Sequence, residues 1–416
     1  DRADSSYMER LRAAGLDPVV GHDAANLPDG AEVVVSTAIA PDNPELTLAR
    51  ERGAVPIHRG ELLAELCAEK RLIAIAGTHG KTTTTAMVVW VLRGLGEDPA
   101  FFVGGEVPGM GADGEAANAS WGEGEWVVAE ADESDASFLR LRPEIAVVTN
   151  LEMDHHSRWA SLTELTAAFE EFVAKVDGLA LPGDAPGLGP SRQYQRPVDV
   201  LYGKAVKTRR LRRFEAGAPG PPDLELAVLG RHNVLNARAA LAAIELAGLD
   251  VAAAAEALAT FPGVRRRLEY KGDYVGSRVF DDYAHHPTEV RAALEALRAE
   301  RPTSLIAVFQ PHLYSRTKSL AEDFGAALAL ADEVIVLDVY PAREQQVGEL
   351  EGVSGRLVLA AAGDRMGGRA PWWAPSQEAA LRALRACAGG EGQIVVTIGA
   401  GDVFRVGEAL VLEGRR

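Results

Sequence analysis

Short apolar runs, each ending sharply in glycine or polar residues, recur along the chain. Leu72-Ile73-Ala74-Ile75-Ala76, stopped by Gly77, is the sharpest. Runs of this length between turn signals read as buried strands. Phe101–Val103, Trp126–Ala129, Ile145–Thr149, Val279–Tyr283, Leu305–Gln310, Val334–Val339 and Ile394–Ile398 follow the same rule. Helical periodicity lies between them, over Val234–Ala247, Val251–Ala259, Thr288–Ala299, Leu320–Ala329 and Gln377–Ala388. Ahead of Leu72, helices are expected at Tyr7–Ala14, Pro44–Arg52 and Glu61–Glu69, and strands at Val19–Val20, Glu32–Ser36 and Val55–Ile57. Alternating strands and helices predict an α/β protein built on parallel sheets. Residues 178–222, rich in Pro and Gly with a basic run Lys204 to Arg213, are expected to form a loop or a poorly packed zone.

At 416 residues the chain exceeds the size one core can serve, so several domains are needed. The patterning divides it into a unit over 1–68, a middle domain over 69–262 and a third unit over 263–416. The first begins at Asp1 without the opening strand and glycine turn of an open α/β domain, and is expected to be N-terminally incomplete.

Charge narrows the function. Asp and Glu number 60 against 43 Lys and Arg, a net charge of -17. That balance argues against nucleic acid or anionic membranes as partners. No run reaches about 18 apolar residues, so no membrane insertion is expected. A cytoplasmic protein with access to ATP is. Cys67 and Cys387 stand far apart on helical patterns and read as buried thiols.

The chemistry gathers at strand ends. Gly77-Thr78-His79-Gly80-Lys81-Thr82-Thr83 follows the sharpest strand and opens a helix. This is the plan of a phosphate-binding loop, two residues short of the general spacing. Backbone N–H groups would face an anion, Lys81 would reach phosphates and the Thr82 hydroxyl a magnesium ion. Glu130 ends a strand in Glu130-Ala131-Asp132-Glu133-Ser134-Asp135 and could ligate the same metal. Asp154-His155-His156 ends another. His232 and Asn233 open a helix, where Asn233 could cap it or read an adenine edge. Arg265-Arg266-Arg267 lies at an apparent hinge and suits phosphoryl oxygens. Asp281-Asp282-Tyr283-Ala284-His285-His286, Gln310 to Thr317 and Asp338 to Glu344 load three further strand ends.

In combination, AGTHGKTTT at 76–84, EADESD at 130–135, GRHNVLNA at 230–237, DDYAHHPTEV at 281–290, FQPHLYSRT at 309–317 and DVYPAREQ with EGVSG at 351–355 resemble the Mur ligase family across nearly the whole chain. The short phosphate loop is that family's own form. The resemblance implies three α/β domains: an incomplete Rossmann-like N-terminal domain for the UDP substrate, a P-loop ATPase domain and a Rossmann-like amino-acid domain. It implies an ATP- and Mg2+-dependent ligase of peptidoglycan precursor synthesis. Such an enzyme joins L-alanine to the lactyl carboxylate of UDP-N-acetylmuramate through an acyl phosphate, as a monomer or weak homodimer. Alternatives are a ligase recycling a preformed peptide and a P-loop ATPase without ligase chemistry.

The resemblance also implies roles. Thr82, Glu130 and His155 would hold metal. Lys81 and an arginine of the 265–267 run, Arg266 first among them, would stabilise the transferring phosphoryl. Gly77, Thr78, His79, Gly80, Lys81, Thr82, Thr83, His232, Asn233, Asn236, Arg266 and Asp282 would bind ATP. Ser36, Thr37, His58, Arg59, Glu133 and Ser134 would contact the UDP-sugar. His285, His286, Arg316 and Arg343 would orient alanine and the acyl phosphate. Glu170 would stand where several relatives carry a carbamoylated lysine.

Overall fold

The computed structural model describes residues 6–111, 114–154, 158–182, 210–214, 224–342 and 344–415. Strands are numbered here in chain order. β1 (Val34–Val35) and β2 (Ile57–His58) form a two-stranded parallel pair. β3 (Arg71–Ala76), β4 (Ala100–Val107), β5 (Ala117–Ser120), β6 (Trp126–Glu130), β7 (Ile145–Val148), β8 (Gly178–Pro182) and β9 (Arg210–Phe214) form a seven-stranded sheet in the order β5-β4-β6-β3-β7-β8-β9. β10 (Glu269–Tyr274), β11 (Ser277–Asp282), β12 (Leu305–Phe309), β13 (Glu333–Leu337), β14 (Trp372–Ala374) and β15 (Ile394–Ile398) form a second sheet, ordered β10-β11-β15-β12-β13-β14. Pairing is parallel except at the edge strands β5 and β10.

Leu72–Ala76 of β3 is continuously apolar because the strand lies mid-sheet with helices on both faces. Helices Lys81–Gly94, Arg231–Ala247 and Val251–Leu258 cover one face. On the other, Leu165, Phe169 and Phe172 of helix Leu162–Val173 pack with Cys67 of helix Arg59–Ala68. Burying each large apolar side chain, such as Met87 or Leu92, stabilises the fold by about 1.5–3 kcal/mol. A charge at Val91, fully buried in this layer, would break the contact between helix and sheet.

Several expectations need correction. Val19 and Val20 are exposed and form no strand. Within residues 178–222, β8 and β9 extend the middle sheet; residues 183–209 and 215–223 lie outside the described ones. Part of the basic run is therefore structural. Arg210 pairs with Glu144 at 3.4 Å and Arg212 with Glu245 at 2.7 Å. The helix expected from Leu320 begins at Tyr314, bringing Arg316 into its first turn.

Candidate active site

The phosphate loop follows β3, between the ends of β6 and β7. Two of its glycines are required by geometry. Gly77 has φ 126°, and a Cβ there would lie 2.2 Å from Thr149 Oγ1. Gly80, the N-cap of helix Lys81–Gly94, has φ 81°, and its Cβ would meet Asn236 Oδ1 at 2.4 Å. Neither space nor backbone admits a side chain. Asn150 clamps the turn: its Oδ1 accepts from the His79 N–H at 2.9 Å and its Nδ2 donates to the His79 carbonyl at 2.8 Å.

Lys81 Nζ donates to the Gly77 carbonyl at 2.6 Å and to Glu133 Oε1 at 3.0 Å. Burial works against its charge, but Glu133, with Glu130 and Asp132 behind it, keeps the pKa above the ordinary lysine value. Thr82 Oγ1 donates to Glu130 Oε1 at 3.0 Å, and Glu130 Oε2 accepts from the Gly104 N–H at 2.7 Å. Burial pushes the Glu130 carboxyl above the usual range. A hydroxyl and a carboxylate side by side are hard oxygen donors, and they fit a magnesium ion that takes its other ligands from phosphates and water. His155, the further metal candidate, and His156 lie outside the described residues, as does Arg343. Thr83 is buried in the first turn of the helix, and Thr78 Oγ1 donates to the Glu152 carbonyl at 3.0 Å.

The members of the arginine run point in different directions, and Arg266 turns into its own domain. Its Nε donates to Asp281 at 3.0 Å, its Nη2 donates to the Gly399 carbonyl at 2.8 Å, and its guanidinium lies over the Tyr283 and Phe404 rings. Arg266 therefore braces the C-terminal domain internally. Arg267 is the member that reaches the loop, with Nη2 at 3.5 Å from Thr82 Oγ1. Successive residues project differently from a tight turn, so run composition alone could not separate them.

Helix Arg231–Ala247 brings Asn236 against Gly80 of the loop. Asn236 donates to Asn233 Oδ1 at 3.1 Å, and Asn233 donates to the Leu229 carbonyl at 2.7 Å. Gly230 occupies the N-cap, so Asn233 is not the cap. Burial, then the Arg267 charge, lowers the pKa of His232 to about 4. Asp282 accepts from the N–H groups of Leu268 and Ala284, each at 2.8 Å, while burial raises its pKa to about 6.

The C-terminal sheet brings its loaded ends onto this loop. Arg316 Nη2 donates to Asp154 Oδ1 at 3.0 Å, both side chains buried. Its Nη1 lies 3.4 Å from His312 Nδ1, and the rings of His285, His312 and Tyr340 follow in sequence. Burial lowers the His285 pKa to about 3, so the ring is neutral. His286 caps helix Pro287–Ala299 by accepting from the Thr288 N–H at 3.4 Å.

Two carboxylates escaped the sequence reading, Glu152 and Glu289. His79 Nε2 lies 2.9 Å from Glu152 and its Nδ1 3.3 Å from Glu289. Glu289 stood inside the motif at 281–290 and Glu152 two residues ahead of Asp154-His155-His156, but nothing in those strings showed that they converge on His79.

In the N-terminal unit, Ser36 and Thr37 follow β1 while His58 ends β2 and Arg59 opens the next helix, so the parallel pairing brings all four together. His58 caps that helix, and its Nε2 lies 3.7 Å from Asp135. Arg59 lies 3.4 Å from Asp132. Glu133, expected near a sugar, is buried against Lys81, and the Ser134 N–H donates to Asp132. Glu170 lies in helix Leu162–Val173.

Comparison with known proteins agrees with this architecture. Profiles described as Mur ligase family catalytic domain, Mur ligase middle domain, and Mur ligase glutamate ligase domain match residues 1–71, 75–181 and 266–401. A UDP-N-acetylmuramate–L-alanine ligase of Rubrobacter xylanophilus is 44% identical, covering 99% of this chain and 93% of its own. One from Kineococcus radiotolerans is 46% identical over 98% of this chain and 88% of its own. The crystal structure of a UDP-N-acetylmuramate–alanine ligase from Thermotoga maritima superposes with a TM-score of 0.79 at 27% identity, covering 99% of this chain and 92% of that one. Shared fold, profiles across all three regions and identity over nearly the full length together establish that the chain belongs to the Mur ligase family.

Proposed function

We propose that this protein is the ATP-dependent ligase that joins L-alanine to the lactyl carboxylate of UDP-N-acetylmuramate in peptidoglycan precursor synthesis. The observation that carries this reading is 44% identity over 99% of the chain to a relative named for that reaction. ATP would lie on the loop Gly77–Thr83 with its adenine near Asn233 and Asn236. Lys81 and Arg267 would face the phosphoryl group in transfer. Magnesium would be held by Thr82 and Glu130, with His155 a further candidate, and when bound it offsets the mutual repulsion of carboxylate and triphosphate. Fixed cations aimed at developing charge act most strongly in such a water-poor cleft.

The carboxylate attacks the γ-phosphorus and ADP departs, leaving an acyl phosphate. The alanine amine then attacks the acyl carbon and expels phosphate. Arg316, with neutral His285 nearby, is suited to hold the amino acid's carboxylate; His286 and Arg343 are further candidates for orienting it. Ser36, Thr37, His58 and Arg59 would hold the UDP-sugar. Domain limits of 1–68, 69–262 and 263–416 follow from this division of labour. Among the described residues no helix is long and apolar enough to cross a membrane, and we assign the enzyme to the cytoplasm, where ATP and nucleotide sugars are available.

Phosphate release measured with UDP-N-acetylmuramate and either L-alanine or a tripeptide tests the assignment. We expect release to require the nucleotide acid and L-alanine together. Faster turnover with tripeptide would reassign the protein as a recycling ligase, and ATP hydrolysis needing neither substrate would remove ligase chemistry.

A further inference from the structure

Glu289 stands where three parts of the cleft meet. It projects from the first turn of helix Pro287–Ala299 and is largely buried. Its Oε1 lies 3.3 Å from His79 Nδ1 and 3.8 Å from Arg267 Nη1. Its Oε2 accepts from the His285 N–H at 3.1 Å, which fixes the carboxylate plane. One oxygen thus serves a cation from the phosphate loop and a cation from the C-terminal domain.

The groups facing His79 are Glu152, from the segment after β7, and Glu289 and His286, from the C-terminal domain. With a carboxylate at each ring nitrogen, both nitrogens donate and the ring is an imidazolium. Burial would lower its pKa, but the two carboxylates outweigh that and raise it to about 9. His79, Glu152 and His286 bring possible ligand atoms within 4.8 Å of one another. An imidazolium has no lone pair to offer, so charge bridging describes the cluster better than metal binding. Burial would also raise the Glu289 carboxyl, yet the charges of His79 and Arg267 hold it well below the usual range.

We propose that Glu289 is a positioning residue that links His79 of the phosphate loop to Arg267, so that seating the C-terminal domain on the loop and aiming the Arg267 guanidinium at Thr82 are one event. The proposal rests on the reading of Arg267 as the phosphoryl-facing arginine. Without the Glu289 charge, His79 keeps Glu152, and Arg267 loses the group that sets its direction.

Steady-state kinetics of Glu289→Gln with ATP, UDP-N-acetylmuramate and L-alanine test it. We expect kcat to fall by about 30- to 100-fold while each KM stays within about threefold, because alignment in the transition state is lost rather than ground-state binding. Glu289→Asp should recover part of kcat. Combined with Arg267→Lys, Glu289→Gln should add little further loss, since both changes break one coupled unit. A kcat within about threefold of wild type, or losses that multiply in the double variant, would overturn the proposal. Should Glu289→Gln not fold, His79→Gln removes the same bridge from the loop side and is judged by the same two criteria. Wild-type phosphate release that does not need both substrates would instead refute the ligase reading, so the two failures are distinguishable.

Discussion

The phosphate loop and the N-terminal unit are built on opposite plans. The loop sits on the centre of a seven-stranded sheet, with Ile73, Ile75, Val128 and Val147 fully buried beneath it. The described residues 6–68 hold two two-residue strands, and their buried apolar side chains are Met8, Leu46, Ala49 and Cys67. Contacts at the strand-end face of that unit are polar: His58 to Asp135, Arg59 to Asp132 and Arg140 to Glu61. An exposed ion pair such as Arg59–Asp132 contributes about 0–1 kcal/mol. The phosphate-loop half of the cleft is therefore preorganised, while the N-terminal unit, proposed to take the nucleotide sugar, depends on weaker, adjustable contacts.

Lys81→Ala would test that contrast most severely. We expect phosphate release to fall at least about 10²- to 10³-fold, the scale of losing one donor aimed at developing charge. Retained ligation would remove the loop from the chemistry. Removing Arg59 from the thin unit should instead raise the KM for the nucleotide sugar and leave kcat nearly unchanged.

Arg267→Lys and Arg266→Lys separate two neighbours by role. The first should lower kcat by about 10²-fold, since a point charge cannot reproduce the planar fork. The second should cost about 1–3 kcal/mol of C-terminal domain stability through lost hydrogen bonds to Asp281 and Gly399, with kcat little altered. Denaturation and kinetics on the same pair would expose a reversed assignment.

Glycines grade the rigidity of the two regions. Gly80→Ala meets both a positive φ and Asn236, and should cost more than about 2 kcal/mol with loss of ATP binding. Gly53→Ala, at φ 80° with nothing within 4 Å, should cost only about 1–2 kcal/mol from backbone strain. Similar costs at both sites would show that the loop is not tightly enclosed.

A smaller effect is expected from pH. The His79 pKa is raised from 6.5 to about 9, so its bridge contributes fully below 6.5 and is lost as pH rises towards 9. Thermal midpoints should fall across that window, and His79→Gln should flatten the fall. An unchanged slope would mean that His79 is not the titrating group.

Much of this was legible because it is local. A five-residue apolar strand, a glycine turn and Lys81-Thr82 are consecutive, so their periodicity and turn chemistry survive in one dimension. The elements that escaped were of another kind. β9 reads as a basic run rather than a strand, and it and β8 are placed by pairing outward from the sheet edge at β7. Val19 and Val20 looked like a strand and lie exposed outside any strand.

What the sequence determined by itself was the family, the α/β class, the phosphate loop and the stock of strand-end polar groups, since these depend on neighbouring residues. The tertiary structure alone decided which of them meet. It turned Arg266 inward to Asp281 and Arg267 outward to Thr82, and it joined Asp154 to Arg316 across a sequence separation of 162 residues. It also brought Glu152 and Glu289 onto one histidine. The reason is geometric. A carboxylate acts over a few ångströms, and only the tertiary fold brings segments after separate strands within that reach.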